Sequence, residues 1–140
     1  MTAKRLTSIF LPWFALVVVG LLAAWLRYGF IEPPAIGNLC EDSNAPTWCG
    51  VRQLIVFGFN NYSYGITALI ATLIALLSKK QAIAWLAAAL GLFAVIMYCY
   101  YAGAVALLIG CLRLLRLQAN HMAAPVDEHR QRDRQVQAQP

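Results

Sequence analysis

Apolar residues in this chain come in runs too long for the buried stripe of a soluble helix. Residues 82–112 hold no charged side chain; Tyr98-Cys99-Tyr100-Tyr101-Ala102-Gly103 interrupts the run midway, and Arg113 and Arg116 close it. A hydrocarbon layer about 30 Å thick takes roughly 20 helical residues. The stretch is too long for one span and fits two short ones, so the pattern predicts a transmembrane hairpin over about 82–98 and 103–117. Two further runs precede it. The first, about 8–26, follows Lys4 and Arg5 and ends at Arg27-Tyr28; the second, about 53–77, is polar mainly at Asn60 to Tyr64 and stops at Ser78-Lys79-Lys80. Ala23-Ala24 is followed by Trp25, Leu26 and Arg27, which is not the small-x-small pattern of a cleaved leader, so the first run reads as span one. Pro12 then falls in its first turn, where a missing N–H is tolerated.

These four runs predict an all-α fold: an integral membrane four-helix bundle over residues 1–117, up-down in topology, with both termini cytoplasmic. Lysine and arginine near membrane ends are retained inside. Lys4, Arg5, Lys79, Lys80, Arg113 and Arg116 fall on one side, against Arg27 and Arg52 on the other. One sizeable external loop remains, about 31–51. Residues 118–140 balance acids against arginines in Asp127 to Arg134 with almost no apolar side chain, and are expected to form a disordered cytoplasmic tail.

Composition changes little: 61% hydrophobic and 12% charged lie far from the quarter-charged make-up of soluble domains. The net charge of +5 is spread over segment ends instead of gathered on one surface, which argues against a nucleic-acid partner. Small residues add a packing expectation. Lipid gives helices no hydrophobic drive to associate, so close backbone approach must supply the attraction. Ala84 to Ala88, Ala87 to Gly91 and Ala106 to Gly110 have small-xxx-small spacing. They fit contact between spans three and four, or contact with another subunit.

Cys40 and Cys49 share the external segment with Pro33, Pro34, Pro46, Gly37 and Gly50, and are expected to pair as a disulfide on the oxidising side. A four-helix membrane protein with loop cysteines is similar in outline to bacterial disulfide-oxidising membrane proteins and vitamin K epoxide reductases. That likeness implies thiol exchange with a quinone, but those families use a Cys-x-x-Cys pair and this chain has none. Cys99 and Cys111 lie near opposite faces of the last hairpin. His121 and His129 are in the tail, away from the loop cysteines, so no metal site and no cofactor is expected.

The polar band Asn60-Asn61-Tyr62-Ser63-Tyr64 is expected at the depth of Tyr98, Tyr100 and Tyr101, with Arg27 and Arg52 above it. Arg27, Arg52, Asn60, Asn61, Tyr64, Tyr98 and Tyr101 are thus the candidate contacts for lipid or a partner protein. Three readings fit: hydrogen bonding between helices, an interface with a larger partner, or a site for a lipid head group, isoprenoid or quinone. Glu32 lies within a turn or so of Arg27, and a surface ion pair worth little is the plain expectation for the two. No nucleophile-base-acid arrangement is visible, so an enzyme is not expected. Small multidrug exporters are similar in length and span number, but depend on an intramembrane glutamate; no acid lies in any predicted span here. The remaining expectation is a non-catalytic accessory or scaffold protein of the bacterial inner membrane. Its partners would be membrane lipid and a larger membrane protein or a second copy of itself.

Overall fold

The computed structural model describes the backbone of residues 3–137 apart from Ser43, and the side chains of residues 7–121 apart from Ser8 and Ser43. Among them are only helices: α1 (Ala3–Trp25), a π-helical turn (Leu26–Ile31), α2 (Pro34–Glu41), α3 (Cys49–Asn60), α4 (Ser63–Leu77), α5 (Gln81–Ile96) and α6 (Tyr100–Gln137). Two stretches, Ile9–Ile31 and Tyr100–His121, are long and apolar enough to cross a membrane, and α3 with α4 makes a third if the bent pair counts as one span. Only 11% of the most apolar 18 residues of the first stretch is buried inside the protein. Phe10, Phe14, Leu21 and Trp25 are each more than half exposed, a surface that water would not tolerate and lipid does.

The centre is α5, on which α1, α4 and α6 all pack. Ala84, Ala87, Ala88 and Ala94 are fully buried there. A Cβ added to Gly110 would lie 2.6 Å from the backbone nitrogen of Ala88 and 2.8 Å from its Cα, so the backbones of α5 and α6 are in contact. The small-residue spacings are therefore used within the chain. Chain length forces α5 and α6 to be neighbours, and small side chains let them approach closely enough for dispersion to hold them.

The helices differ from the sequence expectation in several places. The predicted second span is not one rod: α3 and α4 meet at 64°. Asn60 and Asn61 are weak helix formers that compete for backbone hydrogen bonds, and Tyr62 takes a left-handed conformation, φ 57°, that ends one helix before the next begins. The third run is α5, 16 residues and roughly 24 Å of helix, as short as its length in the sequence leads one to expect. The outer segment is not merely loop. Pro34 opens α2 at a position where proline is preorganised for a helix, and Cys49 opens α3.

The backbone described for the tail continues α6 as helix to Gln137. A helix already nucleated by its packed half adds residues without paying for a new first turn. The side chains of residues 122–140, His129 included, lie outside the described residues.

Pro12 also sits differently. Because α1 begins at Ala3, proline is inside the helix and the carbonyl four residues earlier loses its donor. Neighbouring helices bond to the carbonyls beside this fault. Gln118 Nε2 of α6 donates to the Ile9 carbonyl at 3.2 Å, and Trp85 Nε1 of α5 donates to the Pro12 carbonyl at 2.9 Å. Gln118 Oε1 in turn accepts from Trp13 Nε1 at 3.2 Å, so this buried amide is bonded at both ends.

Candidate functional site

The polar residues converge at the end of the bundle where α1 stops and α5 turns into α6. An α-helix places residues five apart on different faces, whereas a π turn closes with i→i+5 bonds and stacks them. Here the Glu32 N–H donates to the Arg27 carbonyl at 2.9 Å. That bond sets the Glu32 side chain beside Arg27, whose Nε reaches the Glu32 carboxylate at 3.0 Å.

Arg27 is then used a second time. Its Nη1 donates to the Ile96 carbonyl at 2.9 Å, in the last turn of α5, where carbonyls have no partner within the helix. The guanidinium lies 3.9 Å from the centroid of the Tyr98 ring and 5.1 Å from that of Tyr28. The Tyr98 hydroxyl donates to Glu32 Oε1, the same oxygen that Arg27 engages. That hydroxyl above all, and then Arg27, holds the Glu32 carboxyl below its usual range.

Tyr98 reaches this place at a backbone cost. It ends α5 at φ 67°, with the Cys99 N–H donating to the Ala94 carbonyl at 2.9 Å, a closure that normally carries glycine at the left-handed position. A tyrosine there costs on the order of 1–2 kcal/mol. The ring's stack on Arg27, the bond to Glu32 and aromatic contacts to Phe59 (5.4 Å) and Tyr100 (6.2 Å) offset that cost.

Beside this cluster sits a cross-linked cap. Cys40 and Cys49 are disulfide-bonded, their Cα atoms 5.5 Å apart, which ties the end of α2 to the start of α3. Arg52 Nη2 of α3 donates to the Ile31 carbonyl at 2.9 Å, and Trp48 packs on Phe30 with ring centroids 5.6 Å apart. At the other end of the bundle Arg113 Nη2 donates to the Ser78 carbonyl, just past α4, at 3.1 Å. Arg27, Arg52 and Arg113 thus each donate to a carbonyl where a helix ends, which suits both the negative end of the helix dipole and the high cost of an orphan carbonyl away from water.

Of the residues singled out from sequence, Arg27 and Tyr98 meet directly. Arg52 joins through the Ile31 carbonyl next to Glu32. Tyr64 lies apart: its hydroxyl donates to the Ile55 carbonyl at 3.2 Å and its ring packs edge-on against Phe93, centroids 5.2 Å apart. Gly58 makes room for this ring, since a Cβ there would lie 2.6 Å from the Tyr64 hydroxyl oxygen. Asn60 and Asn61 are exposed at the helix break, and Tyr101 is 90% exposed, so these three are outside the cluster.

Sequence reasoning missed the bond between Glu32 and Tyr98, and the roles of Tyr28 beside Arg27 and of Phe59 and Tyr100 against Tyr98. The one available signal was a pair of opposite charges five residues apart at the end of a span. Cys99 is buried in the α4, α5 and α6 seam with Ala68, Ala94 and Ala106, and Cys111 is half-buried. Among the described residues no three His, Cys, Asp or Glu side chains converge as metal ligands. Chemically the cluster is a clamp: one carboxylate oxygen, one guanidinium and one phenol tie the end of span one to the end of α5. No family model, curated protein or solved structure matches this chain.

Proposed function

We propose that the chain is a multi-pass protein of the bacterial inner membrane, acting without catalysis as an accessory or scaffold subunit that holds a larger membrane protein along α1. In this reading α1 with its π turn, α4, α5 and α6 each cross the bilayer. The short α5 is accommodated because it is enclosed by the other three, and α3, turned 64° from α4, runs nearer to the membrane plane at the outer face. Lys79, Lys80, Arg113 and Arg116 face the cytoplasm by the positive-inside rule, together with both termini.

The observation that carries this reading is how little of α1 the chain covers. α1 packs on α5 and leaves an open apolar groove of about 490 Å³ between itself and α6, walled by Leu16, Val17, Gly20 and Leu21 on one side and by Leu92, Leu107 and Cys111 on the other. Helices in membranes associate where small or flat surfaces allow close approach, and Gly20 lies in this wall. Arg27 and Glu32 at the outer end are bonded to each other, with Arg27 also on the Ile96 carbonyl and Arg52 on that of Ile31, while α1 offers a partner an apolar surface.

The test is purification of the tagged chain from native membranes in mild detergent, beside a Val17→Trp variant that fills the groove. A larger membrane protein should accompany the native chain in fixed proportion and be lost from the variant, whose thermal midpoint stays close to native. Recovery of the lone chain in both cases overturns the proposal.

A further inference from the structure

A second groove, on the other side of α6, combines two properties that the first lacks. It measures about 400 Å³, lies between α4 and α6 at the Ser78 end, and is lined by Leu76, Ile109, Leu112, Arg113, Leu115 and Arg116. Four of those side chains are aliphatic and make a floor that suits a hydrocarbon chain. Two are guanidinium groups. Lys79 and Lys80 follow Ser78, just past α4, and both are exposed.

Arg52 at the outer end and Arg113 at this one each place a nitrogen on a helix-end carbonyl and keep a buried Nε without a hydrogen-bond partner, but the two ends differ in the acids described near them. At the outer end Arg27 faces the carboxylate of Glu32. At this end no acidic side chain is among those described: Glu32, Glu41 and Asp42 belong to the outer segment, and the side chains of Asp127, Glu128 and Asp133, further along α6, lie outside the described residues. Arg113 has one nitrogen on the Ser78 carbonyl, while its Nε is buried without a hydrogen-bond partner. Arg116 is exposed one turn further along α6. A planar guanidinium presents several donors in a fork that matches phosphate oxygens, and a basic pocket between membrane helices is a recurrent head-group site.

We propose that this groove binds one anionic phospholipid of the leaflet that surrounds the Ser78 end, its phosphate on Arg113 and Arg116 with Lys79 and Lys80 close by, and an acyl chain along Leu76, Ile109 and Leu112. The occupant is a lipid and not free phosphate, because an inorganic anion has no use for an aliphatic floor in which Leu76, Leu112 and Leu115 are exposed. Charge complementarity selects an anionic head group over a zwitterionic one. The site rests on the membrane-crossing reading of α4 and α6 and is independent of any partner on α1.

The isolated chain in mild detergent is titrated with phosphatidylglycerol, with phosphatidylcholine of the same acyl chains, and with inorganic phosphate, and bound lipid is counted by native mass spectrometry. One phosphatidylglycerol is expected to bind at least tenfold more tightly than phosphatidylcholine, and phosphate is expected neither to displace it nor to raise the thermal midpoint. Arg116→Gln, which removes a charge without touching the Ser78 bond, should weaken phosphatidylglycerol about fivefold. Leu112→Trp, which fills the groove and keeps every charge, should abolish the lipid's retention. Equal binding of the two lipids, an unchanged affinity in Arg116→Gln, or protection by phosphate alone overturns the proposal. Because no partner protein is present, failure here is separate from failure of the accessory-subunit reading.

Discussion

Gly110→Ala tests directly what holds α5 to α6. In an exposed helix this substitution gains up to about 1 kcal/mol of helix propensity. At position 110 the new methyl would lie 2.6 Å from the Ala88 nitrogen and 2.8 Å from its Cα, which are backbone atoms that cannot swing aside. The helices would have to part by about 1 Å to restore ordinary contact, and a gap of that size forfeits roughly a quarter to a half of each pairwise attraction along the seam. Overpacking of this kind costs about 1–3 kcal/mol, so the net expectation is a loss of about 1–2 kcal/mol. Gly50→Ala is the reference, because a Cβ at Gly50 of α3 meets nothing within 4 Å and should leave stability unchanged or slightly raised. The assay is loss of helical circular dichroism on titrating sodium dodecyl sulfate into detergent-solubilised protein. Should Gly110→Ala equal or exceed the native chain while Gly50→Ala behaves as expected, backbone contact is not what joins the two helices.

Three other perturbations have defined outcomes. The Glu32 carboxyl is held below its ordinary value of about 4.5 by Tyr98 and Arg27, so its contribution to stability is complete above that value and is lost as pH falls through the lower, folded one. The native thermal midpoint should therefore fall more steeply below about pH 4.5 than that of Glu32→Gln, and parallel curves would remove the clamp from the account. Reducing the Cys40–Cys49 bond releases a loop closed over 9 residues and should cost about 2–3 kcal/mol. Maleimide labelling of denatured protein should find two thiols before reduction and four after; four at the outset would contradict the bridge. Gln118→Leu strips the Ile9 carbonyl and Trp13 Nε1 of their partner and should destabilise by about 1–2 kcal/mol in the same detergent titration, a neutral result showing that the fault at Pro12 needs no repair.

The distance between what was readable and what was not follows the range of the interactions. Pairing of Cys40 with Cys49 was legible because two cysteines in one turn-rich segment had no other local partner. Tight packing of the last hairpin was legible because alanine and glycine recur at a helical interval. The break at Tyr62 was harder. A run of two asparagines and two tyrosines inside an apolar stretch announces polarity, but whether a helix absorbs or breaks at it depends on what receives the bend. Here Gly58 lets the Tyr64 ring fold onto α3. Tyr98 is the extreme case, since nothing local favours tyrosine at a left-handed position; Arg27 and Glu32, 71 and 66 residues earlier, keep it there.

Composition and run length, which are additive along the chain, settled that the fold is all helical, that its surface suits lipid, and where apolar stretches begin and end. Those properties follow from the solvent and need no knowledge of neighbours. Assignment of each arginine to a carbonyl, the union of Arg27, Glu32 and Tyr98, and the two grooves beside α6 were decided only in three dimensions. They arise where the ends of separate helices meet, and the requirement satisfied there, that no carbonyl or charge be left alone away from water, does not name its partner in advance.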